Sequence, residues 1–471
     1  MNIRLGAGML TVSEAAAMLG GEVIGRGNAT IEGICTDSRE ACAGMLFVAL
    51  PGERTDGHNY IATAVSTGCN CFLVSRREAV PDGVGAILVG NTEAALMRLA
   101  AAYSERVECR RIGVTGSVGK TTTKEYISAV LAQKYRVHKT RGNFNSTIGM
   151  PLSVMETPAD TQLSVLEMAM SGFGEICAMS KCVHPEIAVI TTIGSSHMEA
   201  LGSRENIRRA KLEILEGLHD GGTLVLNGDD DMLSGVCFER GRTVTVGIDD
   251  PHADYLAVGL SFKNNCGYFD IRCPHGFISD IKIPAVGKHN VYAALFAAAV
   301  GDLCGVNSHG IRAGLWSYAG MGLRQNIYRL DDITVIEDCY NASPESMRAA
   351  LEVLEMLRAP GGRTVAVLGD MRELGVNSVA FHREIGRETV KRGVDLLFTL
   401  GGLAKYIASE ALECGMEEQS VFVNLDENTY AATAWELYRE LRPGDVLLVK
   451  ASRAIRAERV IQSLREIYRG V

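Results

Sequence analysis

The feature that most restricts the fold of this chain is a turn. Residues Gly113-Val-Thr-Gly116-Ser-Val-Gly119-Lys120-Thr121-Thr122 overlap the end of an apolar strand, Arg111-Ile-Gly-Val-Thr115, and lead into a helical pattern. A strand that runs through glycines straight into a helix opens a crossover unit, and crossover units build parallel sheets with helices on their faces. The same turn has a chemical consequence. Glycines let backbone amides converge on phosphate oxygens, the helix N-terminus adds partial positive charge, and a lysine placed like Lys120 reaches the terminal phosphates. Thr121 would then offer its hydroxyl to Mg²⁺. The first glycine usual in such loops falls on Val114, with Gly113 one residue early. The plain alternative is a glycine-rich turn carrying a surface lysine. Strand, glycines, lysine and threonine in that order favour a nucleotide held by Thr115, Gly116, Ser117, Val118, Gly119, Lys120, Thr121 and Thr122.

A chain of 471 residues exceeds one ordinary core, so about three domains are expected. The fold class expected is α/β: a small N-terminal α/β domain over 1–108, a central phosphate-loop domain with a parallel sheet over 109–322, and a C-terminal Rossmann-like domain over 323–471. In the first segment Met45–Leu50 and Cys71–Ser75 read as strands and 94–103 as a helix. In the second, Leu163–Leu166, Ile187–Thr192 and Thr223–Leu226 are strands with helical patterns between them. The third repeats the alternation at Thr334–Ile336, Thr364–Leu368, Leu396–Leu400, Val421–Val423 and Val446–Val449, with a helix over Ser346–Leu357.

Composition removes several classes of function. Acidic residues outnumber basic ones by 56 to 47, a net charge of -9, so general attraction to nucleic acid or an anionic membrane is not expected. The longest apolar run, Val291–Val300, is far short of the ~20 residues that span a bilayer. Thr11-Val-Ser-Glu14 reads as a helix capping box rather than the apolar core of a secretion signal, so a cytoplasmic chain is expected. The thirteen cysteines are scattered and odd in number. Cys69-Asn-Cys71 and Cys177…Cys182-Val-His184 lack paired zinc-type spacing, and buried small hydrophobes are the better reading.

Two later strands end in groups that phosphate chemistry could use. Ser164-Val-Leu-Glu167 puts a carboxylate at a strand's carboxyl end, and Ile190-Thr-Thr-Ile-Gly-Ser-Ser-His197 puts an imidazole just past another. Ligands of open α/β sheets gather at those ends, so Glu167 and His197 are candidate metal ligands, against the commoner structural or solvated reading. Lys211, in Asn206-Ile-Arg-Arg-Ala-Lys-Leu-Glu213, reads by default as an ordinary helix lysine. A regulatory GTPase is disfavoured, because the nearest match to its Asn-Lys-x-Asp guanine reader, Asn227-Gly-Asp-Asp230, has no lysine.

Taken together, these stretches resemble the Mur ligases over essentially the whole chain. Thr36-Asp-Ser-Arg39, Gly44–Gly52 and Asp56-Gly-His58 resemble the family's uridine-nucleotide domain, and Gly116–Thr122 its short phosphate loop. Thr140-Arg-Gly-Asn-Phe-Asn145 resembles the segment that approaches the muramoyl substrate. Tyr340–Pro344, Leu368–Gly375 and Val449–Arg453 resemble the branch that adds D-alanyl-D-alanine. The resemblance implies an ATP-dependent amide ligase with Lys120, His197 and Lys211 as catalytic residues. It implies two Mg²⁺ ions on Thr121, Glu167, His197 and Lys211, the last as a CO2-derived carbamate. It adds Asn290, Arg324 and Asp338 as nucleotide contacts, with a helix N-cap as the plain role for Asn290. Ser38, Arg39, Asn143, Asn145, Asn341, Lys450 and Ser452 become substrate contacts. The implied partners are UDP-N-acetylmuramoyl-tripeptide and D-alanyl-D-alanine, with a monomer expected. Ser146-Thr147, Ser343 and Ala451 depart from the family pattern. A sister ligase adding another amino acid, a folylpolyglutamate-type ligase and a nucleotide-binding scaffold stay open alternatives.

Overall fold

A computed structural model describes residues 1–52, 55–320, 322–426 and 429–470. Its backbone is organised around three large sheets. The first runs Asn2–Arg4, Gly33–Cys35, Met45–Val48, Cys71–Val74, Gly85–Leu88, Glu22–Gly25. Its inner neighbours are parallel and its two edges antiparallel. The inner strands are buried on both faces, which is why they read as unbroken apolar runs rather than alternating ones. The expected capping box forms: the Thr11 hydroxyl accepts the Glu14 N–H at 3.1 Å and Glu14 accepts the Thr11 N–H at 2.6 Å, starting the helix Val12–Leu19.

The first unit does not stand apart from the second. Helix Thr92–Ser104 carries Leu96, Leu99 and Tyr103 into a cluster that continues through Met150, Leu166 and Met179, one apolar core shared across the expected boundary.

The middle sheet runs Val137–Lys139, Leu163–Glu167, Arg110–Thr115, Ile187–Ile190, Thr223–Asn227, Arg242–Gly247, Tyr255–Lys263, Cys266–Cys273, Gly276–Ile283. As expected, it is parallel through Tyr255–Lys263. The last two strands extend it antiparallel, an extension that the alternation rule did not foresee. Tight turns make it possible, one of them at Asn264-Asn265, where both residues adopt positive φ of 52° and 58°, the left-handed pair a two-residue hairpin needs. The apolar run Val291–Val300 lies inside helix Lys288–Leu303, buried nearly all round. Among the described residues no helix is long and apolar enough to cross a membrane.

The third sheet runs Asn326–Leu330, Ile333–Asp338, Val446–Lys450, Thr364–Gly369, Leu396–Leu400, Val421–Asn424. It is parallel except for its first pair, and two apolar clusters cover its faces. Asn326–Leu330, an antiparallel edge, has exposed and partly buried residues in no alternating order and gave no strand signal in the sequence. All thirteen cysteines are free thiols; Cys69, Cys71 and Cys182 are buried as expected, while Cys177 is half-buried.

Candidate active site

Topology fixes where the site lies. Arg110–Thr115 has Leu163–Glu167 on one side and Ile187–Ile190 on the other, so its connections leave in opposite directions and open a crevice at its carboxyl end. The phosphate turn fills that crevice. Glu167 is level with Val114, and Ile190 with Thr115, which places Glu167 and the Thr191–His197 loop beside it.

Inside the turn, Gly116 has φ 145°, and a Cβ there would sit 1.9 Å from the Thr191 hydroxyl oxygen. Thr191 cannot withdraw, because that hydroxyl donates to the Val118 carbonyl at 2.6 Å. Gly119, at φ 86°, starts helix Lys120–Leu131 with no side-chain cap. The uncapped amides therefore face the cavity, an arrangement that suits an anion. The Ser117 hydroxyl is buried without a partner. Lys120 folds back on its own loop, donating to the carbonyls of Gly116 at 2.8 Å and Ser117 at 3.3 Å. Burial depresses its ammonium below the ordinary lysine value, and Arg324 adds repulsion against the attraction of Glu167.

Glu167 is the hub. One carboxylate oxygen accepts from the Thr121 hydroxyl at 3.1 Å and from the Asn145 amide at 2.8 Å. The other is buried with no hydrogen bond, and its nearest cation is Lys124, 3.7 Å away. Lys124, unnoticed in the sequence, is fully buried and also donates to the Thr140 carbonyl at 2.7 Å. A carboxylate oxygen left bare beside a threonine hydroxyl suits a hard cation. Among the described residues no three His, Cys, Asp or Glu side chains gather into a cage for one. That fits Mg²⁺, which commonly binds one or two carboxylates and completes its shell with phosphates and water.

Lys211 overturns the default reading of a solvated helix lysine. It is 1% exposed, and among the described residues it has no hydrogen-bond acceptor and no ion pair. Burial drives its amine well below the ordinary value, with the nearby Lys120 charge pushing the same way. A neutral buried amine is the form that can take up CO2, so the surroundings suit the implied carbamate.

One cavity of about 580 Å³ runs from the phosphate turn and Glu167 to the third unit, and neither Lys211 nor Lys124 is among the residues that line it. Of the expected nucleotide contacts, Ser117 through Thr122, Asn290, Arg324 and Asp338 line it; Thr115 and Gly116 do not. The Thr115 hydroxyl points instead to the Met168 carbonyl at 2.8 Å. Asn290 is not a helix cap, since Gly287 takes that position. Its amide donates to the Val286 carbonyl at 2.8 Å and to Gln325 at 2.6 Å. Gln325 also meets His289 at 2.7 Å, and burial holds that imidazole below its usual pKa. Arg324 lies over the Tyr340 ring at 3.8 Å.

The expected substrate contacts divide. Asn145, Asn341 and Lys450 line the cavity. Lys450 pairs with Asp338 at 2.6 Å and donates to the Asn341 carbonyl at 3.0 Å. Ser38 and Arg39 sit in the first unit outside it, Arg39 pairing with Asp37 at 2.6 Å. Asn143 is exposed outside the lining, and Ser452 accepts the Arg372 N–H at 2.9 Å.

His197 lines the cavity and has left-handed backbone, φ 65°. Its Nδ1 lies 2.9 Å from Glu373 of the third unit, and this hydrogen bond lowers the Glu373 carboxyl below its usual value. Two more contacts tie the same loop to that unit. Glu345 accepts from both the amide and the hydroxyl of Ser195 at 2.8 Å, and the Glu199 N–H donates to the Glu373 carbonyl at 3.1 Å. Glycines mark both crossings. A Cβ on Gly194 would fall 2.7 Å from the Glu345 carboxyl carbon, and one on Gly375 would fall 3.0 Å from the Glu199 Cα.

Comparison with known proteins agrees with this layout. Three family models match in succession: Mur ligase family, catalytic domain, over 30–117; Mur ligase middle domain over 114–301; and Mur ligase, glutamate ligase domain, over 323–453. The UDP-N-acetylmuramoyl-tripeptide–D-alanyl-D-alanine ligase of Bacillus subtilis is 40% identical, with 93% of each chain covered. This chain belongs to the Mur ligase family. A second Mur ligase, the enzyme of the same name from Escherichia coli, is 31% identical over 97% of this chain and 98% of its own. Among solved Mur ligases, MurF from Acinetobacter baumannii superposes with a TM-score of 0.88 at 31% identity, covering 98% of this chain and 99% of its own. MurF ligase from Thermotoga maritima in complex with ADP gives 0.82 at 28% identity, covering 93% and 98%.

Proposed function

We propose that this chain is the ATP-dependent ligase that joins D-alanyl-D-alanine to UDP-N-acetylmuramoyl-tripeptide, making the pentapeptide precursor of peptidoglycan. The observation that carries the reading is an uncapped phosphate turn facing a bare carboxylate and a partnerless lysine, in a chain that matches a ligase of that name over 93% of its length. A carboxylate does not acylate amines, because oxide is a poor leaving group. Its oxygen therefore attacks the terminal phosphorus of ATP, the bond to the bridging oxygen breaks, and ADP leaves with that electron pair. The dipeptide amine then attacks the acyl phosphate carbon, and the tetrahedral adduct collapses with loss of inorganic phosphate.

Each residue has a task in that sequence. The amides from Val118 to Thr122 and the Lys120 ammonium bind the phosphates and offset charge on the group in transfer. Asn145 holds the Glu167 carboxylate in place, and Asn290, with Gln325, forms the wall on which the base is oriented. Mg²⁺, held by Thr121 and Glu167, and a second ion held by His197 and Lys211 as its carbamate, would supply further charge neutralisation at the phosphoryl and acyl oxygens. In forming that carbamate the neutral Lys211 nitrogen bonds to CO2 and gives up one proton to water. Asn341 and Lys450 line the cleft where substrate would enter, and Ser38 and Arg39 of the first unit would contact the uridine end. Every group invoked comes from one chain, so a monomer suffices; its segments are 1–108, 109–322 and 323–471, the first two sharing a core, and the nucleotide-linked substrates suit the cytoplasm.

Phosphate release is the test. Release that requires ATP, Mg²⁺, the UDP-muramoyl tripeptide and D-alanyl-D-alanine together is expected, with Lys120→Ala abolishing it in a folded protein. Release supported equally by a single amino acid would assign the chain to a sister ligase, and amine-independent release to a regulatory NTPase.

A further inference from the structure

The loop that presents His197 is held from the opposite unit by a carboxylate with no assigned role. Glu345 lies in the first turn of helix Pro344–Met356, whose N-cap is Ser343, joined to Ser346 in a capping box. The helix is thus closed by its own residues, and Glu345 is not needed to cap it. Instead one Glu345 oxygen reaches the middle unit and takes two hydrogen bonds from Ser195, amide and hydroxyl, each 2.8 Å. Its other oxygen is buried without a partner. Leaving a carboxylate oxygen unpaired costs stability, so the placement calls for a compensating role. Gly194 lacks the Cβ that would collide with this carboxylate, and Arg204, which donates to the Ile193 carbonyl at 2.9 Å, holds the loop from its other end. Ser195 is two residues from His197, with only Ser196 between.

We propose that Glu345 is a positioning residue: by gripping Ser195 from the third unit, it sets the backbone that aims His197 into the cavity, and it does so only when that unit is seated. The loop is therefore loose while the third unit is displaced and firm when it docks. Assembly of the His197 side of the site is coupled to docking through one carboxylate. The role in turnover rests on the ligase reading, but the grip itself does not.

Two readouts keep these apart. Hydrogen–deuterium exchange over 193–199 is compared in the parent protein, Glu345→Ala and Glu345→Gln, alongside steady-state kinetics at varied Mg²⁺. Glutamine keeps an oxygen acceptor for both Ser195 donors; alanine keeps none. The expected result is faster exchange of the Ser195 amide in Glu345→Ala, near-parent exchange in Glu345→Gln, and an unfolding midpoint in both close to the parent. In kinetics, Glu345→Ala should lower kcat roughly tenfold and raise the Mg²⁺ concentration needed for half activity, with KM for ATP little changed and Glu345→Gln restoring most of the loss. Parent-like exchange in Glu345→Ala overturns the grip. Altered exchange with parent kinetics leaves the grip and overturns the positioning role. A parent protein that releases no phosphate with D-alanyl-D-alanine fails the ligase reading instead.

Discussion

At the scale of single residues, the phosphate turn sets Lys120 near a second lysine, Lys211, whose side chain is almost wholly buried. Glycines, Lys120 and Thr121 could be read because phosphate binding needs those types in that order. Lys211 could not, because its peptide is that of a charged surface helix and only packing shows that it is buried. This gives a distinctive expectation. Removing a buried amine without a partner relieves a desolvation cost, so Lys211→Met should unfold no earlier than the parent while losing turnover. The sign with pH follows from the depressed value. The penalty in the parent is full below the depressed folded value, where the lysine is charged in both states, and fades as pH rises from there to about 10.4, where the unfolded lysine also loses its proton. The stability advantage of Lys211→Met should therefore shrink as pH rises, a trend that thermal melts across pH would show. An advantage that grew with pH would contradict the assignment. Gly116→Ala is the backbone counterpart. With Thr191 pinned to Val118, the added methyl has no room, so calorimetry should show nucleotide binding weakened by at least about tenfold, roughly 1.4 kcal/mol. Thiols divide by burial. Cys35 and Cys71 are pushed up to about 12 by desolvation, so at pH 8 an alkylating reagent should modify the exposed Cys237 and Cys414 and leave these two untouched in the mass spectrum.

At the scale of elements, strands that cross a sheet interior were legible and edges were not. Val365 through Leu368 or Leu396 through Leu400 are buried on both faces, and an unbroken apolar run records that directly. Asn326–Leu330 and the hairpin strand from Tyr255 mix exposed and partly buried residues without a clean alternation, so neither the apolar-run nor the alternating strand signal appears. The hairpin turn depends on side chains that tolerate left-handed backbone. Asn264→Val should lower stability by about 1–2 kcal/mol, whereas Asn264→Gly should be nearly neutral; equal denaturant midpoints for the two would remove the strained-turn account. The capping box at Thr11 was readable from four residues, because its partners are local. Its loss in Thr11→Ala should cost about 1 kcal/mol.

At the scale of the whole molecule, the sequence was nearly silent about how the units meet. Glu345 and Ser195 are 150 residues apart, and neither forms a motif with the other until the chain is folded. Phe262 is similar: an ordinary strand residue that packs against the cores of both the middle and third units. Phe262→Ser should loosen that strut, raising the radius of gyration seen by small-angle scattering, with ATP and both substrates reversing most of the change. An unaltered scattering profile would show that the strut carries no load.

Where the third unit rests on the middle one, the two glycines at 194 and 375 leave a seam with no room for a side chain of their own. Grit of even one methyl on either side would prop the jaws open, because at 194 it meets the Glu345 carboxylate and at 375 the main chain of Glu199. A methyl added at 194 or 375 should therefore disturb the fit of the two units more than one added at Gly90 or Gly402, where nothing lies within reach of a Cβ.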